Sequence, residues 1–480
     1  MIRLLSTSAV LLLAAASSPG EGDPGLRRAV NDQVAAARRV APELGVSVVD
    51  VASGETAYSF NPDTPRILAS NTKLFTTAAA LDRLGPGFFF ETAVLGRGEV
   101  HGGTLAGDLA VVGGGDPHLS GRQYYGDPFG AFREWAAALR ALGIERVGGD
   151  VLLVHGYFDD ERVHPDWPRD QLTRWYEAPV EALSFNDNCV LVRVAPDGGP
   201  GRPARVEVVP PLPYFTVESS AVTSAESHWV AIGRRSGADS HVLTAGGRVR
   251  IGAEPVDKWV AVDDPLRYFG AALVAALAEE GVAAGGEARP VTALEGDGWR
   301  PLHTHRTDLL TVLEVVNKRS QNFYAESVLK LLGAELCGDG SWPGGIRAVA
   351  EVLAEAGIDA GSYALADGSG MSRGNRFTPR QVTLLLTHMF HHRWGAEFVR
   401  TLPHSGEADL RWEKRLAQPP YRGNVMAKTG YLAGVSTLSG YAKALSGKVY
   451  AFAILANGIA GEAAARKAQD RIVRALIDHG

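Results

Sequence analysis

Hydrophobic and polar positions are regularly patterned at both ends of the chain and irregular in its middle. Residues 25–40 (GLRRAVNDQVAAARRV) carry helical spacing, and residues 45–61 (GVSVVDVASGETAYSFN) alternate as two strands around Ser53-Gly54. Residues 424–430, 436–445 and 448–457 predict three consecutive strands, the last two joined at Ser446-Gly447. Ala464, Ala468, Ile472 and Leu476 then set one apolar stripe on a closing helix. Further helical patterns fall at 308–316, 323–336 and 378–391. Strands at both ends with helices between them predict an α+β domain whose sheet is completed by the two termini. From about 88 to 290 the apolar runs are short and β-like (DLAVVGG, GDVLLVHG, ARVEVVPP) and Gly and Pro interrupt them, which predicts a β-rich insertion.

Composition adds little except exclusions. The 480 residues are 45% hydrophobic and 21% charged, enough for more than one core. A formal charge of -6 with no long single-sign run supplies no basic field for nucleic acid. Arg3, the apolar run 4–16 and the small residues Ala14 and Ala16 read as a signal peptide over 1–18. The expected location is therefore exported, periplasmic or otherwise extracytoplasmic, with attachment to membrane or wall left open. No later segment reaches the ~20 apolar residues of a membrane span. Cys189 and Cys337 make no disulfide framework, and their pairing is left open.

Candidate chemistry begins at the polar quartet Ser70-Asn71-Thr72-Lys73, which opens the apolar segment ILASNTKLFTTAAALDRLG. At a helix start, Ser70 and Lys73 lie on one face about a turn apart. A lysine whose pKa is lowered by burial can take the serine proton, and the Ser70 N–H is a potential oxyanion donor. Ser-x-x-Lys is common, and Ser70 could equally cap a helix. Ser320 and Asn322, in VVNKRSQNFYAES, sit between two helical patterns where a loop can aim side chains into a cleft; the plainer reading is a capped turn. Lys428-Thr429-Gly430 ends a strand, where the lysine and hydroxyl can hold a carboxylate and the glycine leaves room for substrate backbone. His155, Asp159, Asp160 and His164, like His388, His391 and His392, lack a recognised ligand motif, so no metal and no cofactor are expected.

Ser-x-x-Lys, Ser-x-Asn and Lys-Thr-Gly, in that order and on helix, loop and strand, form the signature set of penicillin-binding proteins and serine β-lactamases. RILASNTKLFTTAAAL, GGGDPHL, NKRSQNFYAESVLK, DGSGMSRGNRFTP and KTGYLAGVSTLSGYA together resemble the class C low-molecular-mass penicillin-binding proteins, D-alanyl-D-alanine carboxypeptidases and endopeptidases. The likeness is weakest at 150–247, where stretches such as SFNDN still carry it. The resemblance implies a penicillin-binding, serine β-lactamase-like domain at 24–88 and 291–480, and an insertion at 89–290 built as two subdomains with the outer one at about 150–247. It implies an acyl-enzyme on Ser70 with Lys73 as base and Ser320 relaying a proton to the leaving amine. Asn322 would bind a substrate amide, Lys428 would keep the site electropositive, and Thr429 would bind the substrate carboxylate. The N–H groups of Ser70 and Tyr431 would form the oxyanion hole. Substrates would be peptidoglycan stem peptides, with β-lactams as covalent inhibitors. Where the family has Thr or Ser after Lys-Thr-Gly, this chain has Tyr431, which keeps the backbone donor and loses a small hydroxyl. A β-lactamase or esterase on the same scaffold, and a catalytically silent wall-binding protein, are the alternatives.

Overall fold

The computed structural model describes residues 23–480. The proposed signal peptide lies outside the described residues. The first helix, Pro24–Ala37, starts where the Asp23 carboxylate accepts from the N–H groups of Gly25 (2.6 Å) and Leu26 (3.3 Å), with Pro24 at its first position.

Both ends of the chain build one antiparallel sheet, ordered Thr56–Phe60, Glu43–Asp50, Val449–Asn457, Val435–Lys443, Val425–Leu432. The run VYAFAILAN is continuously apolar because this central strand is covered on both faces. Phe452, Ile454 and Ala456 pack with Leu26, Val30, Ile472 and Leu476 of the terminal helices, whereas Ala451, Ala453 and Leu455 face the second core. That second core holds the helices Lys73–Leu84, Asn322–Cys337, Trp342–Glu355 and Pro379–His391. The stripe on the last helix, Glu462–His479, starts at Ala465 rather than Ala464, which is exposed.

The middle of the chain is joined to this body by two antiparallel strands, Phe89–Arg97 and Trp299–Asp308. They continue a sheet whose other strands, Leu109–Val112, Val151–Val154 and Ala288–Val291, run parallel to one another. Two helices, Gly130–Ala141 and Pro265–Glu279, share its apolar core and escaped the sequence pattern. Farther along lie two small sheets, one around Cys189–Ala195 and one around Val242–Arg250. Cys189 is a buried free thiol and Cys337 an exposed one. Among the described residues no helix is long and apolar enough to cross a membrane.

Candidate active site

The chain enters the site through a tight turn, Ala69–Thr72, with Ala69 at φ 47°, and then the helix Lys73–Leu84. Ser70 makes no capping bond, so the plain reading of it as a helix cap fails. Asn71 is fully buried; its Nδ2 donates to the Lys428 carbonyl (2.8 Å) and its Oδ1 accepts from Ser439 Oγ (2.8 Å), tying the turn to two strands. A Cβ on Gly430 would stand 2.3 Å from Thr437 Oγ1, 2.7 Å from the Leu68 carbonyl and 2.9 Å from the Ser70 nitrogen. The glycine therefore makes room for the serine turn, beside the room it is expected to leave for substrate backbone. Val425–Leu432 is the edge strand of this sheet; on its outer side Val425 and Ala427 are met by Ser405 and Pro403, and Gly430 passes close to Ser70.

Lys73 is fully buried, and its Nζ lies 3.1 Å from Ser70 Oγ, 2.7 Å from Asn322 Oδ1 and 2.7 Å from the Ser369 carbonyl. Burial brings its pKa down to about 7 against the opposing negative charges of Glu326 and Asp367. A neutral amine has two N–H bonds for Asn322 and Ser369 and one lone pair left to face the Ser70 hydroxyl. This is the geometry of a general base and its nucleophile. The Ser369 carbonyl is set by two buried carboxylates. Glu326 accepts from the N–H groups of Gly368 (2.8 Å) and Ser369 (2.7 Å) and from the Trp342 indole (2.8 Å). Asp367 accepts from the N–H groups of Gly370 (2.7 Å) and Ser372 (2.6 Å), the Asn375 amide (2.7 Å) and the Trp167 indole (3.0 Å). Gly370, at φ 87°, lies so close to Ala69 that a Cβ would meet its carbonyl oxygen at 1.9 Å.

Ser320 follows a π-helical turn, Val315–Arg319, and takes the left-handed conformation (φ 58°). Its Oγ accepts from Lys428 Nζ at 2.7 Å, so its own proton is free to be donated into the cleft. Lys428 is buried, and burial, with the charges of Lys73 and Arg411 adding to it, holds its pKa well below the ordinary lysine value. An incoming carboxylate would restore the ammonium. Both ends of the Asn322 amide are engaged, Oδ1 by Lys73 and Nδ2 by the Tyr176 carbonyl (2.9 Å), so in this state it orients the base.

Ser70, Ser320, Asn322, Lys428, Thr429, Gly430 and Tyr431 line one cleft of about 810 Å³. Lys73 lies beneath it. The walls carry Lys318, Arg319, Arg373, Arg411, Arg415 and Arg466 against Asp166, Asp409 and Glu462. This basic surplus, in a chain of net charge -6, suits an anionic substrate. Residues 26–478 fit the profile of the family described as D-Ala-D-Ala carboxypeptidase 3 (S13). The chain belongs to this family. A D-alanyl-D-alanine carboxypeptidase of Actinomadura sp. (strain R39) is 34% identical over 87% of this chain and 78% of its own length. D-alanyl-D-alanine carboxypeptidase DacB of Haemophilus influenzae is 26% identical over 86% of this chain and 85% of its own. The crystal structure of that organism's penicillin binding protein 4 superposes with TM-score 0.79 at 26% identity, covering 92% of this chain and 98% of that one. A second structure of it, in complex with a β-lactam, gives 0.75.

Within this S13 site, sequence reasoning missed Asn71, Glu326, Asp367 and Tyr176. Asn71 left a signal as a member of the polar quartet, and Glu326 as a charged residue inside an apolar helical run; Tyr176 left none, because it acts through its carbonyl. Several members of the histidine groups have structural partners. Asp159 pairs with Lys330 (2.5 Å), His164 Nε2 lies 3.0 Å from the Ala366 carbonyl, and His392 Nε2 lies 2.7 Å from Asp82. Among the described residues no group of His, Cys, Asp and Glu is arranged to hold a metal ion.

Proposed function

We propose that this serine-type D-Ala-D-Ala carboxypeptidase works through an acyl-enzyme on Ser70, with peptidoglycan stem peptides as substrate and β-lactams as covalent inhibitors. The observation that carries the reading is the Lys73 amine, buried, drawn down to about 7 and 3.1 Å from Ser70 Oγ. The Lys73 lone pair takes the hydroxyl proton as Oγ attacks the carbonyl carbon of the penultimate D-Ala. The N–H groups of Ser70 and Tyr431 receive the oxyanion; the close approach of Gly430 to the Ser70 nitrogen supports this pairing of turn and edge strand. Collapse of the tetrahedral intermediate breaks the C–N bond, and Ser320 passes its proton to the departing D-Ala nitrogen while taking one from the Lys428 ammonium that the substrate carboxylate has restored. Lys428 and Thr429 hold the terminal carboxylate, and Asn322 keeps Lys73 aimed. Water then attacks the ester and regenerates Ser70. Acting on the wall places the chain outside the cytoplasm, in keeping with the signal-like residues 1–18.

Intact mass after exposure to benzylpenicillin, with peptide mapping, tests the reading. One adduct per chain on Ser70, absent from Ser70→Ala, is expected, together with release of D-Ala from a peptide ending in D-Ala-D-Ala. No adduct in the wild type would overturn it, and rapid drug turnover would make the chain a β-lactamase.

A further inference from the structure

The Ser320–Asn322 turn is held from outside the catalytic helices. Gln321 is 4% exposed, and its Nε2 donates to Asp187 Oδ2 at 2.9 Å. The same carboxylate oxygen accepts from Arg122 through Nε (3.0 Å) and Nη2 (2.6 Å). Asp187 is the aspartate of the SFNDN stretch, where Asn186, Asp187 and Asn188 take φ values of 52°, 57° and 49°. Three consecutive left-handed residues without a glycine are held only where the surroundings over-determine them. Here Asn188 Nδ2 donates to the Pro179 carbonyl (2.9 Å) and Ser184 Oγ (3.0 Å), and Asn186 Nδ2 to the Cys189 carbonyl (3.1 Å). The outcome of that strained turn is one carboxylate directed at Gln321.

We propose that Arg122 and Asp187 are positioning residues that brace the Ser320–Asn322 turn, so that the inserted segment is part of the acylating machinery. Gln321 is covalently flanked by the two residues it serves. Ser320, itself left-handed, must present its hydroxyl to Lys428, and Asn322 its carbonyl oxygen to Lys73. Fixing the Gln321 side chain fixes both φ,ψ choices at once. The hold is repeated from two neighbouring positions, through Asn322 to the Tyr176 carbonyl and through Tyr324 to His118 (3.1 Å). Of the three, the Asp187 contact alone is charge-assisted, and such bonds are the stronger ones. The proposal rests on the acyl-enzyme reading above.

The test is the acylation rate of the full chain by benzylpenicillin in Gln321→Glu, Asp187→Asn and the double variant, with the melting temperature of each. Gln321→Glu sets a carboxylate against Asp187, whereas the double variant restores a donor and an acceptor with their roles exchanged. We expect Gln321→Glu to slow acylation by about tenfold or more, the double variant to recover most of that loss, and the non-covalent affinity for drug to stay put. Rescue of this kind is not given by residues that merely fill space. Wild-type acylation in Gln321→Glu, or a folded double variant as slow as the single, would overturn the brace. Should Gln321→Glu fail to fold, Arg122→Ala, a change at the exposed end of the chain of contacts, is read alone: a several-fold slower rate supports the brace and an unchanged rate overturns it. Absence of any label on Ser70 in the wild type would overturn the acyl-enzyme reading itself, a separate outcome.

Discussion

At the scale of single residues the site depends on removing water from two lysines without giving them carboxylate partners at contact distance. Lys73 titrates near 7 because burial outweighs the distant charges of Glu326 and Asp367. Its reactive form is the neutral one, so acylation should rise with pH through about 7 and level off above, measurable as a pH–rate profile in which Glu326, raised by burial to about 7, titrates over the same range. Lys73→Ala should abolish acylation while the protein stays folded, as circular dichroism would show. Gly430→Ala drives a methyl into the Ser70 turn and Thr437, and should cost about 1–3 kcal/mol in urea unfolding along with most of the acylation rate. Tyr431 is half exposed on the cleft wall, so Tyr431→Thr should fold normally and lower the KM for a D-Ala-D-Ala peptide by returning a small hydroxyl. The motif residues were legible in the sequence because each carries its chemistry in its side chain. Tyr176 was not, because it contributes a main-chain carbonyl.

At the scale of elements, helices and strands do what their apolar spacing demands, and the exceptions are where the chemistry sits. The helix Asn322–Cys337 is buried all round as far as Gly333, and the one carboxylate in that buried part, Glu326, is not an error of patterning but the clamp on the Gly368–Ser369 backbone. Glu326→Ala strands three N–H groups away from water, each worth about 1–3 kcal/mol, so a loss of about 3 kcal/mol or more is expected by denaturation. Glu326→Gln keeps the shape and drops the charge that raises the Lys73 pKa, so the rise in acylation should move to lower pH. The three C-terminal strands were read nearly to the residue, since alternation or a run of apolar residues suffices to locate a strand. Gly130–Ala141 and Pro265–Glu279 were lost to the expectation of a β-rich middle, because frequent glycines on either side hide a helix that packs onto a parallel sheet. The π-helical turn before Ser320 has no periodic signature; it exists because Asn317 must reach Thr77 (3.1 Å) and Thr401 (2.9 Å).

At the scale of the whole molecule, the inserted segment and the catalytic body interlock at the site. Trp167 is 2% exposed among catalytic-domain side chains and donates to Asp367, and Lys330, in the buried helix, reaches out to Asp159 and the Glu161 carbonyl. Trp167→Ala should therefore cost about 3–5 kcal/mol and slow acylation, although the residue is far in sequence from every motif. The sequence by itself determined the class of fold, the strands at both ends, the helix behind Ser70 and the motif residues Ser70, Lys73, Ser320, Asn322 and Lys428-Thr429-Gly430 that the cleft brings together or sets beneath it. All of these are local, since periodicity and motif order are properties of neighbouring residues. Only the tertiary structure decided that Gly430 yields to the serine turn, that Asn322 is committed to Lys73, and that the inserted segment grips the Ser320–Asn322 turn through Asp187. Those facts are contacts between residues separated by more than a hundred positions or more than one strand. Burial and close approach, which set the Lys73 pKa and the fit at Gly430, exist only once the chain has folded.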